Sequence, residues 1–320
     1  MPVSNNPIQD TYTSQENENI NTTEVVEQPV QIEEVTEVTG AQTTSIENTG
    51  GLTAAELNDP NSIVVTVADT QSPLVVLFGP PSCGKTMTLV RLTRFLKMEG
   101  YTVAPIRSFR PSADTNYKEI CDKFDEMISS DNAADSTKRI NFMLVEVSRN
   151  NRRICQILEA PGEYYFNPQK PSNPFPSYVN TIISNSNRKI WTIMTEPDWM
   201  DMPDRNNYVN KIRQLKKSMR PIDSTIFIFN KIDKTNCVRG IGNVDIPEAI
   251  KNVEFLYPGI FVPFVSQNPI TKWFKKYNCE FVPFQTGTYT PTISGKTAYQ
   301  EGPREYCVQL WNKISKKIFG

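Results

Sequence analysis

One stretch, Leu74–Thr88 (LVVLFGPPSCGKTMT), constrains this chain more than any other. Leu74–Phe78 is a continuous apolar run, the pattern of a strand buried on both faces. Gly79-Pro80-Pro81-Ser82-Cys83-Gly84-Lys85-Thr86 follows at once and satisfies G-x-x-x-x-G-K-[ST] in full. Met87–Met98 then spaces Leu89, Leu92, Phe95 and Leu96 along one helical face. A loop opening into a helix aims several backbone N–H groups at one point, where the helix dipole adds positive charge. Gly79 and Gly84 let the backbone approach phosphate oxygens without an intervening Cβ. Lys85 is placed to reach the β- and γ-phosphates, and the Thr86 hydroxyl to meet Mg²⁺.

A second motif closes the next apolar hairpin. Ile140–Val147 (INFMLVEV) and Arg153–Glu159 (RICQILE) flank Arg149-Asn150-Asn151-Arg152, an Asn-rich turn joining two antiparallel strands. Glu159-Ala160-Pro161-Gly162-Glu163 ends that hairpin. An acid at a strand end can hold Mg²⁺ through water, and a glycine three residues on can offer its N–H to a γ-phosphate. By itself this pattern is common; following a complete phosphate loop, it gains weight.

The third motif selects the base. Thr225–Phe229 (TIFIF) is another buried strand, followed by Asn230-Lys231-Ile232-Asp233. Guanine presents N1–H and N2–H₂ side by side, and one carboxylate, that of Asp233, accepts both in a forked pair. Adenine has no such pair of donors. The Lys231 stem can cover the base, and Asn230 can tie this loop to the phosphate loop. Two similar strings downstream, Phe261–Gln267 (FVPFVSQ) and Phe281–Gly287 (FVPFQTG), compete to be the last strand and base-contacting loop. The second is preferred, with Thr286 at the base, because Pro269–Tyr277 can then serve as the helix before it.

Charge divides the chain. Residues 1–60 hold eleven acidic residues and no Lys or Arg, leaving 24 acidic against all 34 basic residues in 61–320, a net of +10. This tail is rich in Asn, Gln, Thr, Ser and Glu, and its one aromatic is Tyr12. Such a composition cannot offset its ordering entropy, so residues 1–60 are expected to be disordered and 61–320 to form the domain. Within the tail, Val25–Val38 alternates apolar and polar residues and could add to a sheet edge of a partner. There is no secretory leader pattern and no apolar run long enough to span a membrane. The six cysteines lack CxxC spacing and there is no histidine, which argues against a zinc site and against Ser-His or Cys-His catalysis. A reducing, cytoplasmic setting is expected.

The remaining segments read as follows. Ser62–Ala68 is a strand or ordered lead-in, Tyr101–Arg107 a strand, and Asp114–Ser130 a single helix. Asn167–Pro176 is a proline-rich loop and Tyr178–Ser184 starts a helix. Lys189–Met194 is a third buried strand; Glu196, Asp198 and Asp201 sit beyond its end, where they could face the nucleotide side, though a solvated loop is the commoner explanation. Tyr208–Met219 is an amphipathic helix with Ile212 and Leu215 inward and Lys211, Arg213, Lys216, Lys217 and Arg220 outward. That basic stripe suits nucleic acid or acidic lipid, though a solvated face is the commoner explanation. Pro247–Tyr257 and Pro303–Ile318 are helices.

Together the three motifs resemble the GTPase branch of the P-loop NTPases, the Ras-like and translation-factor-like GTP-binding proteins, over residues 70–320. The resemblance implies an α/β, three-layer, mostly parallel sheet with helices on both faces, an answer the strand–helix alternation gives independently. It implies GTP/GDP and Mg²⁺ as ligands. Gly79 through Thr86, with Asn230, Lys231, Asp233 and Thr286, would bind nucleotide. Thr86, Glu159 and a switch threonine, Thr137 with Ser136 as rival, would serve the metal. Lys85, Thr137, Gly162 and Glu163 would form the catalytic set. Four departures stand out: Glu159 where the family has Asp, a Thr86–Thr137 separation long enough for an inserted strand and helix and so an extended switch region, Glu163 where Ras-like proteins often carry a water-orienting Gln, and Pro81 where many members have Gly. The implied activity is slow Mg²⁺-dependent GTP hydrolysis by a molecular switch that engages protein partners through its switch loops and acidic tail. The alternatives are a scaffold that binds GTP with little hydrolysis, and a nucleic-acid-associated GTPase.

Overall fold

A computed structural model describes residues 52–129, 142–198, 202–266, 276–291 and 297–320. Seven strands form the central sheet: β1 (Leu74–Phe78), β2 (Thr102–Pro105), β3 (Met143–Arg149), β4 (Arg152–Glu159), β5 (Lys189–Thr195), β6 (Ser224–Phe229) and β9 (Glu280–Pro283). Their order is β2-β3-β4-β1-β5-β6-β9. Every contact from β4 through β9 is parallel, and β3 alone runs against the rest. Two small ribbons stand apart, β7 (Val238–Gly240) with β8 (Asn243–Val244), and β10 (Gly287–Pro291) with β11 (Thr297–Glu301).

The helices are α1 (Ala54–Asn58), α2 (Lys85–Met98), α3 (Thr115–Asp122), α4 (Phe124–Ser129), α5 (Gly162–Tyr165), α6 (Ser177–Ser184), α7 (Met202–Ser218), α8 (Ile246–Leu256) and α9 (Arg304–Phe319). They cover both faces of the sheet. This is why β1 and β5 are buried at every position: a parallel sheet sandwiched between helices has no wet face, so its strands become continuous apolar runs. The β3–β4 hairpin turns on Asn150 and Asn151, both left-handed (φ 52° and 58°), as a two-residue turn compatible with strand twist requires.

Several expectations are revised. Residues 52–60 belong to the folded domain, although composition put them in the tail. Thr53 and Glu56 form a reciprocal capping box on α1. The buried Glu56 carboxylate accepts from Arg110 Nη2 at 2.5 and 2.7 Å. Arg110 also donates to Asp114 Oδ2 at 2.8 Å and to the Val64 carbonyl at 2.9 Å. An acidic residue that looks like tail by composition is thus half of a buried ion pair.

Ser62–Ala68 is an ordered lead-in rather than a strand. Ile63, Val65 and Val67 are buried in alternation, and the Thr66 N–H donates to the Phe109 carbonyl. The helix expected at Asp114–Ser130 divides at Lys123, yet both halves bury the face its spacing marks out, with Tyr117, Ile120, Phe124 and Ile128 inside. Lys211 is not outward: its Nζ donates to the Asn173 carbonyl and lies 4.4 Å from the centre of the Phe175 ring. Its aliphatic stem packs as apolar surface, which periodicity does not register. Of the twin strings, Phe281–Gly287 supplies the last strand. β9 pairs with β6, and as an edge strand it tolerates Pro283. Phe261–Gln267 instead forms a single tight turn at Val262–Phe264, with Phe261 and Phe264 packed on Phe227.

Thr137, Ser136, Asp201, Val25–Val38 and the bulk of the Pro269–Tyr277 helix lie outside the described residues. No helix among the described residues is long and apolar enough to cross a membrane.

Candidate nucleotide-binding site

The strand order diverges at β1, with β4 on one side and β5 on the other, and a crevice opens at the carboxyl ends of the strands there. The loop Gly79–Gly84 fills that position. Ser82 and Gly84 are left-handed (φ 61° and 91°), which turns the chain sharply into α2. Gly79, Pro80 and Cys83 are buried behind the loop, whereas Ser82 is exposed at its crest. A cleft of about 440 Å³ lies in front, lined by Pro81, Ser82, Gly84, Lys85, Thr86 and Met87 from the loop and α2. Glu159, Gly162 and Glu163 close one side, and Asn230, Lys231, Thr286 and Tyr289 the other.

Three loops are locked together here. The Asn230 side-chain amide donates to the Cys83 carbonyl at 2.9 Å. A Cβ on Gly84 would sit 2.2 Å from that amide nitrogen, so glycine is needed for the close approach as well as for its positive φ. A Cβ on Gly162 would fall 2.3 Å from backbone atoms of Pro80 and Pro81, so the start of α5 lies directly against the phosphate loop. Across this junction Thr86 Oγ1 donates to Glu159 Oε1 at 3.0 Å. Lys85 Nζ donates to the Pro80 carbonyl at 3.0 Å, folding the lysine back over its own loop.

The fold is a three-layer α/β one, with a glycine-rich loop at the switch point of a mostly parallel sheet and Asn230 tethered to that loop.

Electrostatics at the cleft centre on Glu159. The residue is fully buried, and burial pushes its carboxyl up to about 7, with Lys85 and the Thr86 hydroxyl opposing. Its Oε2 has no hydrogen-bond partner among the described residues. A buried carboxylate with one oxygen unspent, next to a threonine hydroxyl, fits a hard cation that prefers oxygen ligands. No cluster of three or more acidic, His or Cys side chains among the described residues could hold an ion unaided.

Asp233 is exposed in the tight turn Ile232–Lys234, beside the cleft and not in its wall. Lys231 is left-handed (φ 54°) and in ion-pair contact with Glu196. Glu196 is therefore buried rather than solvated; Tyr257 fixes it, its hydroxyl donating to the Glu196 carbonyl at 2.8 Å. Asp198 does remain at the surface, paired with Lys234.

Two site residues escaped the sequence reading. Arg91, buried in α2, donates to the carbonyls of Gln285 and Thr286, both at 2.9 Å, and of Gly302 at 2.8 Å. Its signal was position: it lies four residues before Phe95, on the buried face of the helix. Tyr289 lines the cleft from the β10–β11 ribbon, and the alternation of Gly287–Pro291 (GTYTP) was its only trace.

No protein-family model matches the chain, and no curated protein does. Solved structures similar to it include a nucleolar GTP-binding protein 1 from Plasmodium falciparum (13% identity, TM-score 0.39, covering 79% of this chain and 90% of that one). Another is from work on the chloroplast translocon components atToc33 and psToc159 (10% identity, TM-score 0.42, 78% and 84%). A third is Methanosarcina barkeri Roco2 RocCORdC bound to GDP (10% identity, TM-score 0.32, 78% and 50%).

Proposed function

We propose that this protein binds GTP and GDP with Mg²⁺ and hydrolyses GTP slowly, as a molecular switch. The observation that carries the reading is the Asn230–Cys83 hydrogen bond. It joins the turn holding Asp233 to the loop holding Lys85 and Thr86, so that a base and a phosphate chain can be held by one rigid unit. Loop N–H groups, the α2 N-terminus and Lys85 would hold the phosphates. Asp233 would accept the two guanine donors, and its exposure leaves both carboxylate oxygens open to them. Thr86 and Glu159 would hold Mg²⁺, whose charge would stabilise the transferring phosphoryl group. Gly162, held against Pro80 and Pro81, would offer its N–H at the phosphate end.

A second reading, binding with little turnover, is favoured by Glu163. Its carboxylate lines the cleft where an amide would orient water, and it adds negative charge beside the substrate. Single-turnover hydrolysis with saturating Mg²⁺ separates the two.

The base assignment has its own test. Asp233→Asn should lose GDP affinity by several orders of magnitude and gain affinity for xanthosine diphosphate, whose C2 carbonyl replaces the guanine amino group. Unchanged GDP affinity in the variant would remove Asp233 from the base site.

A further inference from the structure

The cleft does not end with the three motifs. Beyond Thr286 the chain turns into the β10–β11 ribbon, where Tyr289 pairs in register with Tyr299 and their rings lie 5.2 Å apart. The ribbon is fastened at both roots. Arg91 takes the carbonyls of Gln285 and Thr286 at one root and of Gly302 at the other. Tyr299 donates its hydroxyl to the Thr286 carbonyl at 2.9 Å. A Cβ on Gly287 would come within 2.4 Å of the Gln300 carbonyl oxygen, so the ribbon starts at close backbone contact. It is thus tied to the helix that begins with Lys85 and Thr86.

Sheet order decides which side of the cleft the ribbon serves. Loops following β4 lie on one side of β1, and loops following β6 and β9 on the other. Tyr289 therefore stands with Asn230, Lys231 and Thr286, on the side where the base would lie, away from Glu159 and Glu163. It is 40% exposed. Among the described residues it is the only aromatic in a wall otherwise rich in charged and polar groups.

We infer that Tyr289 is a base-stacking residue, and that the ribbon makes the site prefer a nucleobase-bearing ligand to a bare polyphosphate. This rests on the nucleotide reading above. Aromatic side chains bind bases through any π-face, and removing one stacked ring weakens binding about tenfold to a hundredfold. Tyr289 would supply that face while Asp233 supplies the hydrogen-bond code; the first adds affinity for any base, the second selects guanine.

The test measures binding of GDP and of inorganic tripolyphosphate to the full chain by calorimetry. Tyr289→Ala should weaken GDP about tenfold to a hundredfold and leave tripolyphosphate within about twofold, while Tyr289→Phe keeps GDP affinity within about threefold. In Tyr289→Trp, a fluorescence decrease on adding GDP, absent from wild type and absent with tripolyphosphate, would report the stack directly. Wild-type GDP affinity in Tyr289→Ala would overturn the inference and leave the nucleotide reading intact. Equal loss of both ligands would overturn it too, because the ribbon would then be a structural support of the phosphate loop. A wild-type chain that binds tripolyphosphate but not GDP would sink both readings.

Discussion

Deleting residues 1–60 should destabilise the domain, whereas deleting residues 1–51 should not. The difference lies in α1. Arg110 is buried, and its guanidinium is shared among Glu56, Asp114 and the Val64 carbonyl. Removing one partner of a buried ion pair costs about 3–5 kcal/mol, because the remaining charge stays desolvated. Asp114 still faces Arg110, which places the loss near the lower bound, about 3 kcal/mol. Leu52, fully buried, adds about 2 kcal/mol of lost apolar burial. Together about 5 kcal/mol is at stake, comparable with the whole stability of a marginal domain. For a chain of this size that corresponds to about 10–20 °C in melting temperature. The assay is calorimetric melting of chains starting at Leu52 and at Asn61, with Glu56→Gln in the full chain isolating the electrostatic part. Chains that melt within about 3 °C of each other, or a Glu56→Gln variant as stable as wild type, would refute the reasoning.

Two further outcomes are expected. Burial moves Glu159 from 4.5 to about 7, so without ligands the native state keeps a proton that the unfolded chain releases as pH rises through that window. Stability should therefore fall by about 3 kcal/mol between pH 4.5 and 7 on account of this group, and Glu159→Gln should flatten the pH profile of the melting temperature measured in EDTA; superimposable profiles would refute it. Gly162→Ala would push a methyl group into the backbone of Pro80 and Pro81. It should cost about 1–3 kcal/mol and weaken GDP binding, and a variant with unchanged melting temperature and affinity would show that the contact relaxes freely.

How legible the molecule was depended on whether local sequence alone decided the outcome. β1, β5 and β6 were plain because a doubly covered strand must be apolar throughout, and the Asn150-Asn151 turn because few residues accept left-handed backbone. The twin strings at Phe261 and Phe281 share their first four residues, and only pairing with β6 tells them apart. Glu56 and Lys211 were misplaced for one reason: charge predicts exposure until a partner removes it, and the partners, Arg110 and the Asn173 carbonyl, are distant in sequence. In the site, the phosphate loop, Glu159 and Asn230 stood out through spacing. Arg91, Tyr289 and Glu196, the partner of Lys231, belong to no motif and join the site only once the sheet has assembled.

Arg91 also sets a schedule for folding. Its acceptors lie 194, 195 and 211 residues further along the chain. During synthesis the phosphate loop and α2 emerge early, but the guanidinium beneath them lacks its full set of acceptors until Gly302 has been made. At about 5–20 residues per second, that is an interval of about 10–40 s. Contacts of such long range also bear the highest loop-closure cost and form late. The loop that looks most self-contained in sequence is thus among the last parts of the protein to mature, and a nascent chain carrying every residue from Gly79 to Thr86 would not yet have the cleft in which they act.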